Sequence, residues 1–227
     1  MNIVKQIAAI PMFEGLSRKQ YDELARIVED RSYKRGQIIF SEGDEGKGFY
    51  VLIAGKVKVF KLSPEGKEQI LHLLGPGEPF GEAAVFAGQS FPAHAETLEK
   101  SRAFFFPRGA FVELIKADPS LALNMLAILS RRLRRFTLLV EDLSLKEVPG
   151  RLAAYLLYLS GEKAGSDELR LDIAKNQLAS LLGTIPETLS RVLTRMTQQG
   201  LIHVDGSRIR IMDRRGLEEL AQATRRL

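Results

Sequence analysis

Apolar positions along the chain recur with three periods, and each period predicts a different kind of element. Between about Arg35 and Phe106 they fall in short runs punctuated by glycine: Gln37–Phe40, Phe49–Ile53, Lys56–Phe60, Gln69–Leu74 and Arg102–Phe106. Val57, Lys58 and Val59 alternate as a half-buried strand should, and Ala54-Gly55 and Pro64-Glu-Gly66 supply turns. Many short strands at even spacing predict an all-β sandwich or barrel rather than a parallel α/β sheet. No internal repeat or low-complexity stretch suggests an array. Ahead of the strands, Ser17 to Val28 reads as a short helix opened by Ser17.

From Asp118-Pro-Ser to about Leu145 the period becomes helical. Ala122, Leu126, Leu129, Leu133, Phe136, Val140 and Leu143 alternate at spacings of four and three, the seam of a two-helix coiled coil. Leu121, Met125, Ile128, Leu138 and Leu139 supply a second apolar face. One face is expected on the barrel and the other on a second copy of the chain. Arg131, Arg132, Arg134 and Arg135 read as the solvated side of this helix. Val148-Pro-Gly150 is expected to break it, with Arg151 to Leu159 forming the next helix.

The segment Lys175 to Arg195 predicts two short helices joined at Gly183. Their apolar positions are Leu178, Ala179, Leu181 and Leu182, then Leu189, Val192, Leu193 and Met196, so each buries one face. Gly183 ends the first helix, Pro186 suits the first turn of the second, and Thr184 with Glu187 has capping-box spacing. Glu187, Ser190 and Arg191 then share one face of the second helix. An arginine can donate two bonds to guanine and a glutamate can accept from the cytosine amino group. In an arbitrary helix pair Glu187 reads as a capping acid and Arg191 as a solvated charge. The next segment decides otherwise: Leu201–Val204, a turn at Asp205-Gly206 and Ser207–Ile211 predict a hairpin, and helix-turn-helix plus hairpin is a winged helix. Between Lys175 and Arg215 stand seven basic residues (Lys175, Arg191, Arg195, Arg208, Arg210, Arg214, Arg215) against three acidic ones (Glu187, Asp205, Asp213). That surplus suits a surface facing phosphates, with Lys175, Thr188, Arg195 and Arg208 as the expected backbone contacts.

Composition narrows the remaining chemistry. The 227 residues suffice for two domains, and net charge +5 favours a polyanionic partner. No apolar run reaches the ~18 residues of a membrane span and the N-terminus lacks signal-peptide features, so a cytoplasmic location is expected. Zero cysteine excludes disulfides, thiolate zinc sites and cysteine-ligated iron–sulfur clusters. His72, His94 and His203 are too scattered for an all-histidine metal site. With no phosphate loop, glycine-rich nucleotide turn or nucleophile–base constellation, no enzymatic activity is expected.

The order barrel, long helix, winged helix resembles the CRP/FNR family of bacterial transcription regulators over nearly the whole chain. The resemblance is carried by Lys34-Arg-Gly-Gln-Ile-Ile-Phe-Ser-Glu-Gly-Asp44, Pro79-Phe-Gly-Glu82 and Pro186-Glu-Thr-Leu-Ser-Arg191. It implies an α+β chain: a cyclic-nucleotide-binding-type β-roll (a jelly-roll-like barrel) over 1–117, a dimerisation helix over 118–146 and a winged helix-turn-helix over 147–227. It further implies a homodimer on palindromic double-stranded DNA, with Glu187, Ser190 and Arg191 reading half-sites that contain TGA. RNA polymerase is the expected protein partner.

In cyclic-AMP-binding members a Gly-Glu pair is followed by an Arg-Ser pair that holds the phosphate. Here Gly81-Glu82 is kept, but Phe91-Pro92 replaces the second pair, removing the guanidinium fork and the hydroxyl. Glu82 alone would repel an anion, and Phe136-Thr137 stands where such members reach the adenine from the long helix. Cyclic AMP is therefore not the expected effector, and the cysteine-held cluster of oxygen-sensing members is impossible. The remaining similarity is to the nitric-oxide-responsive branch, through Phe49–Val59, Leu62–Ile70 and Leu143–Lys146. That branch implies haem as a cofactor, with His72 as the first candidate axial ligand and His94 as a weaker one; His203, in the wing, reads as a phosphate or solvent contact. A lone strand histidine is more often a hydrogen-bonded core residue, and His72 shares a strand face with Ile70 and Leu74. A separate reading makes the chain a regulatory binding module that acts through protein partners, with the winged helix as a docking surface.

Overall fold

A computed structural model describes residues 3–162 and 166–222. The chain divides into two compact units, Met1–Leu133 and Arg134–Leu227. The first contains α1 (Ile3–Ala8), a 3-10 turn (Pro11–Phe13), α2 (Arg18–Ile27), β1 (Glu29–Tyr33), β2 (Ile38–Phe40), β3 (Gly48–Ala54), β4 (Val57–Leu62), β5 (Glu68–Leu74), β6 (Pro79–Phe80), α3 (Glu82–Ala87), β7 (His94–Thr97), β8 (Ser101–Pro107) and α4 (Arg108–Ala117). The long helix α5 (Ser120–Leu145) begins in it. Its strands form two antiparallel sheets in the orders β1-β8-β3-β6 and β2-β7-β4-β5. The expected roll of short strands is therefore present, followed by the long helix.

Period-two alternation splits the apolar side chains of this unit into two cores. Phe49, Val51, Phe104 and Phe106 project from one face of the first sheet and pack with Leu24, Phe111, Leu121 and Met125 from the helices. Phe40, Tyr50, Leu52, Phe80, Phe91 and Phe105 form a second, strongly aromatic core to which both sheets contribute. Ser17 opens α2 as expected: its hydroxyl accepts from Gln20 N–H while Gln20 Oε1 accepts from Ser17 N–H.

Two strand readings need correction. Glu29-Asp-Arg-Ser-Tyr33 carries no apolar alternation, yet it forms β1 because all five residues pair with β8. Lys58, expected on the polar side of its strand, is buried. It lies on an inner strand opposite Glu96, and its ammonium binds Glu68 and lies 3.3 Å from Glu96. Paired carboxylates make that burial tolerable.

The second unit contains α6 (Val148–Glu162), β9 (Glu168–Arg170), α7 (Lys175–Leu181), α8 (Pro186–Gln198), β10 (Ile202–Asp205), β11 (Arg208–Ile211) and α9 (Arg214–Ala221). Leu152, Leu156, Leu178, Leu189, Val192, Met196, Ile202, Ile209 and Leu217 form its core. α6 starts three residues earlier than expected, at Val148. Pro149 and Gly150 occupy its first turn, where a missing N–H costs nothing, so the break falls at Lys146–Glu147. β9 is a third strand absent from the sequence reading, added to the hairpin in the order β10-β11-β9. Asp205 pairs with Arg208, so the hairpin turn is Gly206-Ser207, one residue beyond the expected position.

Candidate nucleic-acid interface and effector site

The turn between α7 and α8 fixes how α8 is presented. Gly183 takes the left-handed conformation at φ +65°, as expected for a helix end. Thr184 N–H donates to Ala179 O at 3.0 Å, and Gly183 N–H to Ser180 O at 3.4 Å. This Schellman pairing commits Thr184 to closing α7, so the expected capping box with Glu187 does not form. Ile185 is the N-cap of α8 and offers no side-chain bond; Pro186 supplies the start instead. At the entrance to α7, Gln177 Oε1 accepts from Ala174 N–H at 3.0 Å.

On α8, Leu189, Val192, Leu193 and Met196 are buried, while Glu187, Ser190 and Arg191 are all exposed on the opposite side. Arg191 Nη2 donates to Thr188 Oγ1 at 3.2 Å, which draws its guanidinium toward the start of the helix. Arg195 is exposed further along α8, and Lys175 is the exposed first residue of α7. Arg208 stands on the wing, 3.7 Å from Asp205, with both side chains mostly in solvent. Such a pair contributes little and releases its arginine readily. His203 is also exposed on the wing.

In the roll, Gly81 sits at φ +78°, and a Cβ there would lie 2.9 Å from the Phe91 ring. Only glycine tolerates both constraints. Phe91 is buried and stacks on Phe40 with ring centroids 3.8 Å apart. Pro92 is exposed, and its carbonyl accepts from Lys61 Nζ at 3.2 Å. A cavity of about 370 Å³ opens beside these rings, bordered by Arg31, Phe40, Tyr50, Phe91 and Phe105. Arg31 lies 3.6 Å above the Phe105 ring and donates to Tyr50 Oη at 3.3 Å. Burial pushes the Tyr50 phenol up to about 12.

Glu82 does not stand alone as expected. Arg132 Nη1 donates to Glu82 Oε1, and Arg132 Nη2 donates to Pro79 O at 2.6 Å. The other carboxylate oxygen, Oε2, is buried without a hydrogen-bond partner. This also corrects the reading of the arginine run: Arg131, Arg134 and Arg135 are exposed, but Arg132 is turned inward. The signal was present in the spacing, since Arg132 continues the series Leu121, Met125, Ile128 at steps of four, three and four. Leu121 and Met125 are buried and Ile128 packs on the same core.

His72 shares its strand face with buried Ile70 and Leu74, and its Nε2 lies 3.3 Å from Glu78 Oε1. That is the environment of a hydrogen-bonded strand histidine. His94 Nδ1 accepts from Glu42 N–H at 3.2 Å, and its ring stacks on Phe60. Phe136 is exposed on α5 in the second unit. Among the described residues no group of three or more histidine or carboxylate side chains could hold a metal ion, and no helix is long and apolar enough to cross a membrane.

Residues 30–118 match the cyclic nucleotide-binding domain, and residues 150–220 match the Crp-like helix-turn-helix domain. The chain is 34% identical to the cyclic AMP receptor protein of Thermus thermophilus over 93% of this chain and 96% of that one. It is 30% identical to the CRP-like cAMP-activated global transcriptional regulator of Mycobacterium tuberculosis, over 96% of this chain and 98% of that one. The chain belongs to the CRP/FNR family. It is a DNA-binding transcription regulator of that family. The structure of FixK2 from Bradyrhizobium japonicum superimposes with a TM-score of 0.75 at 25% identity, covering 86% of this chain and 97% of that one. These relatives support CRP/FNR membership and the roll, long helix and winged-helix architecture; they do not extend to a nitric-oxide branch.

Proposed function

We propose that this CRP/FNR regulator acts as a homodimer on palindromic operators whose half-sites contain TGA, recruiting RNA polymerase from there. The observation that carries the reading is the joint exposure of Glu187, Ser190 and Arg191 on one helix whose opposite face is buried. The homodimer is supported by the seam on α5: Leu126, Leu133 and Val140 are 58%, 68% and 63% exposed in the single chain. An uncovered apolar stripe of this length calls for a second helix. Two-fold symmetry then sets the half-sites about one helical turn apart.

The test is fluorescence anisotropy on a TGA palindrome and on a random duplex of equal length. Arg191→Ala is expected to abolish preference for the palindrome while weak binding to both duplexes survives. Equal loss on both would refute the base-reading role.

We further propose that the effector is not a cyclic nucleotide. Phe91 fills space beside Gly81 with a buried ring, and Arg132 already occupies one oxygen of Glu82. The unpartnered Glu82 Oε2 favours an effector that offers a hydroxyl or N–H there. Such a ligand acts by binding more tightly to the DNA-competent dimer, shifting the population by that difference. The opposite reading is favoured by the names of the two relatives above and by the retained Gly81-Glu82. Titration calorimetry with cyclic AMP separates them: saturable micromolar binding would restore the nucleotide. The narrower expectation of haem and nitric oxide rests on resemblance, since His72 Nε2 is engaged by Glu78. It predicts a stoichiometric Soret band after reconstitution that shifts with the gas and is lost in His72→Ala; without saturable haem binding it fails.

A further inference from the structure

The wing sheet sets two arginines side by side on its open face. Arg170, the last residue of β9, is paired directly with Arg208, the first of β11. Both are exposed, and directly opposed like charges destabilise adjacent strands. The register cannot slip to relieve them. Leu169, Ile209, Ile202 and Ile211 occupy the alternate positions and are buried, so a one-residue shift would turn that apolar set outward.

Neighbouring acids do not neutralise the pair. Glu168 binds Arg210 at 2.5 Å, and Asp205 lies 3.7 Å from Arg208 with both ends in solvent. Among the described residues no carboxylate pairs with Arg170. The pair also sits at the turn end of the wing, where Leu171 N–H donates to Ser207 O at 2.8 Å. Four residues later the chain enters α7 at Lys175.

We propose that Arg170 and Arg208 form a phosphate clamp that grips the DNA backbone outside the base-reading contacts of α8. An anion between the two guanidinium groups removes the repulsion that the register imposes, and each arginine can fork onto phosphate oxygens. Arg208 is exposed enough to leave Asp205 for this role. The inference rests on the DNA-binding function and not on the operator sequence.

The test measures DNA affinity against salt for the full chain, on the TGA palindrome and on a random duplex. Each lost phosphate contact lowers the slope of log K against log salt by ~0.9. Arg170→Ala removes one contact from each protomer of the homodimer, so the gain in affinity between 200 and 50 mM salt is expected to shrink by about 12-fold on both duplexes, with their ratio unchanged. Arg170→Lys should restore most of the slope, which loss of strand structure would not allow. The double variant with Arg208→Ala should lose about two contacts per protomer.

An Arg170→Ala slope equal to that of the parent overturns the clamp, as does a defect confined to the palindrome. A protein that prefers neither duplex refutes the operator reading, yet its slopes on random DNA still decide the clamp. A loss of transcription with polymerase but no change in DNA affinity would assign the face to a protein partner and also overturn it.

Discussion

Replacing Arg132 by methionine should destabilise the roll more than its place in an arginine-rich run suggests. Glu82 keeps a side-chain exposure of only 3%, and one of its oxygens is already unpartnered. Removing the guanidinium leaves a charge in that environment, and breaking a buried pair from one side costs about 3–5 kcal/mol. The 17% exposure of Arg132 shows that some water reaches the pair, which puts the loss at about 3 kcal/mol. Loss of the bond to Pro79 O adds about 1 kcal/mol of the same sign. With a urea slope of about 2 kcal/mol/M, the midpoint should fall by about 1.5–2 M. Urea-dependent hydrogen exchange of the buried β3 amides reads this unit separately from the winged helix. Glu82→Gln removes the charge while keeping the shape, and should cost only about 1 kcal/mol. The double variant should recover at least half of what Arg132→Met alone loses, because no charge is then stranded. If Arg132→Met costs no more than Glu82→Gln, or if the two losses simply add, the pair is a solvated contact and the reasoning fails.

Leu133→Arg should abolish the proposed dimer without weakening the single chain, where Leu133 already faces solvent. Losing about 2 kcal/mol of burial per copy weakens association about 10³-fold, measurable by analytical ultracentrifugation; an unchanged dimer would refute the seam. Tyr50 and Tyr155 are both raised to about 12 by burial, so each favours the folded state while protonated. That stability is complete below pH ~10 and is lost as pH rises from 10 toward 12. Spectrophotometric tyrosinate titration alongside thermal melts should show the two changes together. Ionisation of all five tyrosines near 10 in the folded protein would contradict it.

The legible parts of this chain are those in which local pattern and tertiary role agree. The α7–α8 turn was readable because glycine, proline and two helical apolar faces converge within 22 residues, Lys175 to Met196. The parts that were not legible depend on partners far away in sequence. β1 owes its extended state to β8, some seventy residues on, rather than to Glu29-Asp-Arg-Ser-Tyr33 itself. Lys58 and Arg132 looked solvated because charge is ordinarily a surface signal; both are drawn inward by carboxylates on other elements. Thr184 shows a different failure, in which one residue satisfies two local motifs and the backbone of the preceding helix takes it.

The closed turn at Gly183 and Thr184 has a thermodynamic corollary. Because α7 and α8 are locked by their own backbone bonds before any duplex arrives, docking need not order the reading helix. Encounter with DNA should then be governed by long-range attraction between arginines and phosphates, at near diffusion-controlled rates that slow sharply as salt rises. The heat-capacity change of binding should reflect apolar area buried at the contact, with no contribution from a folding helix.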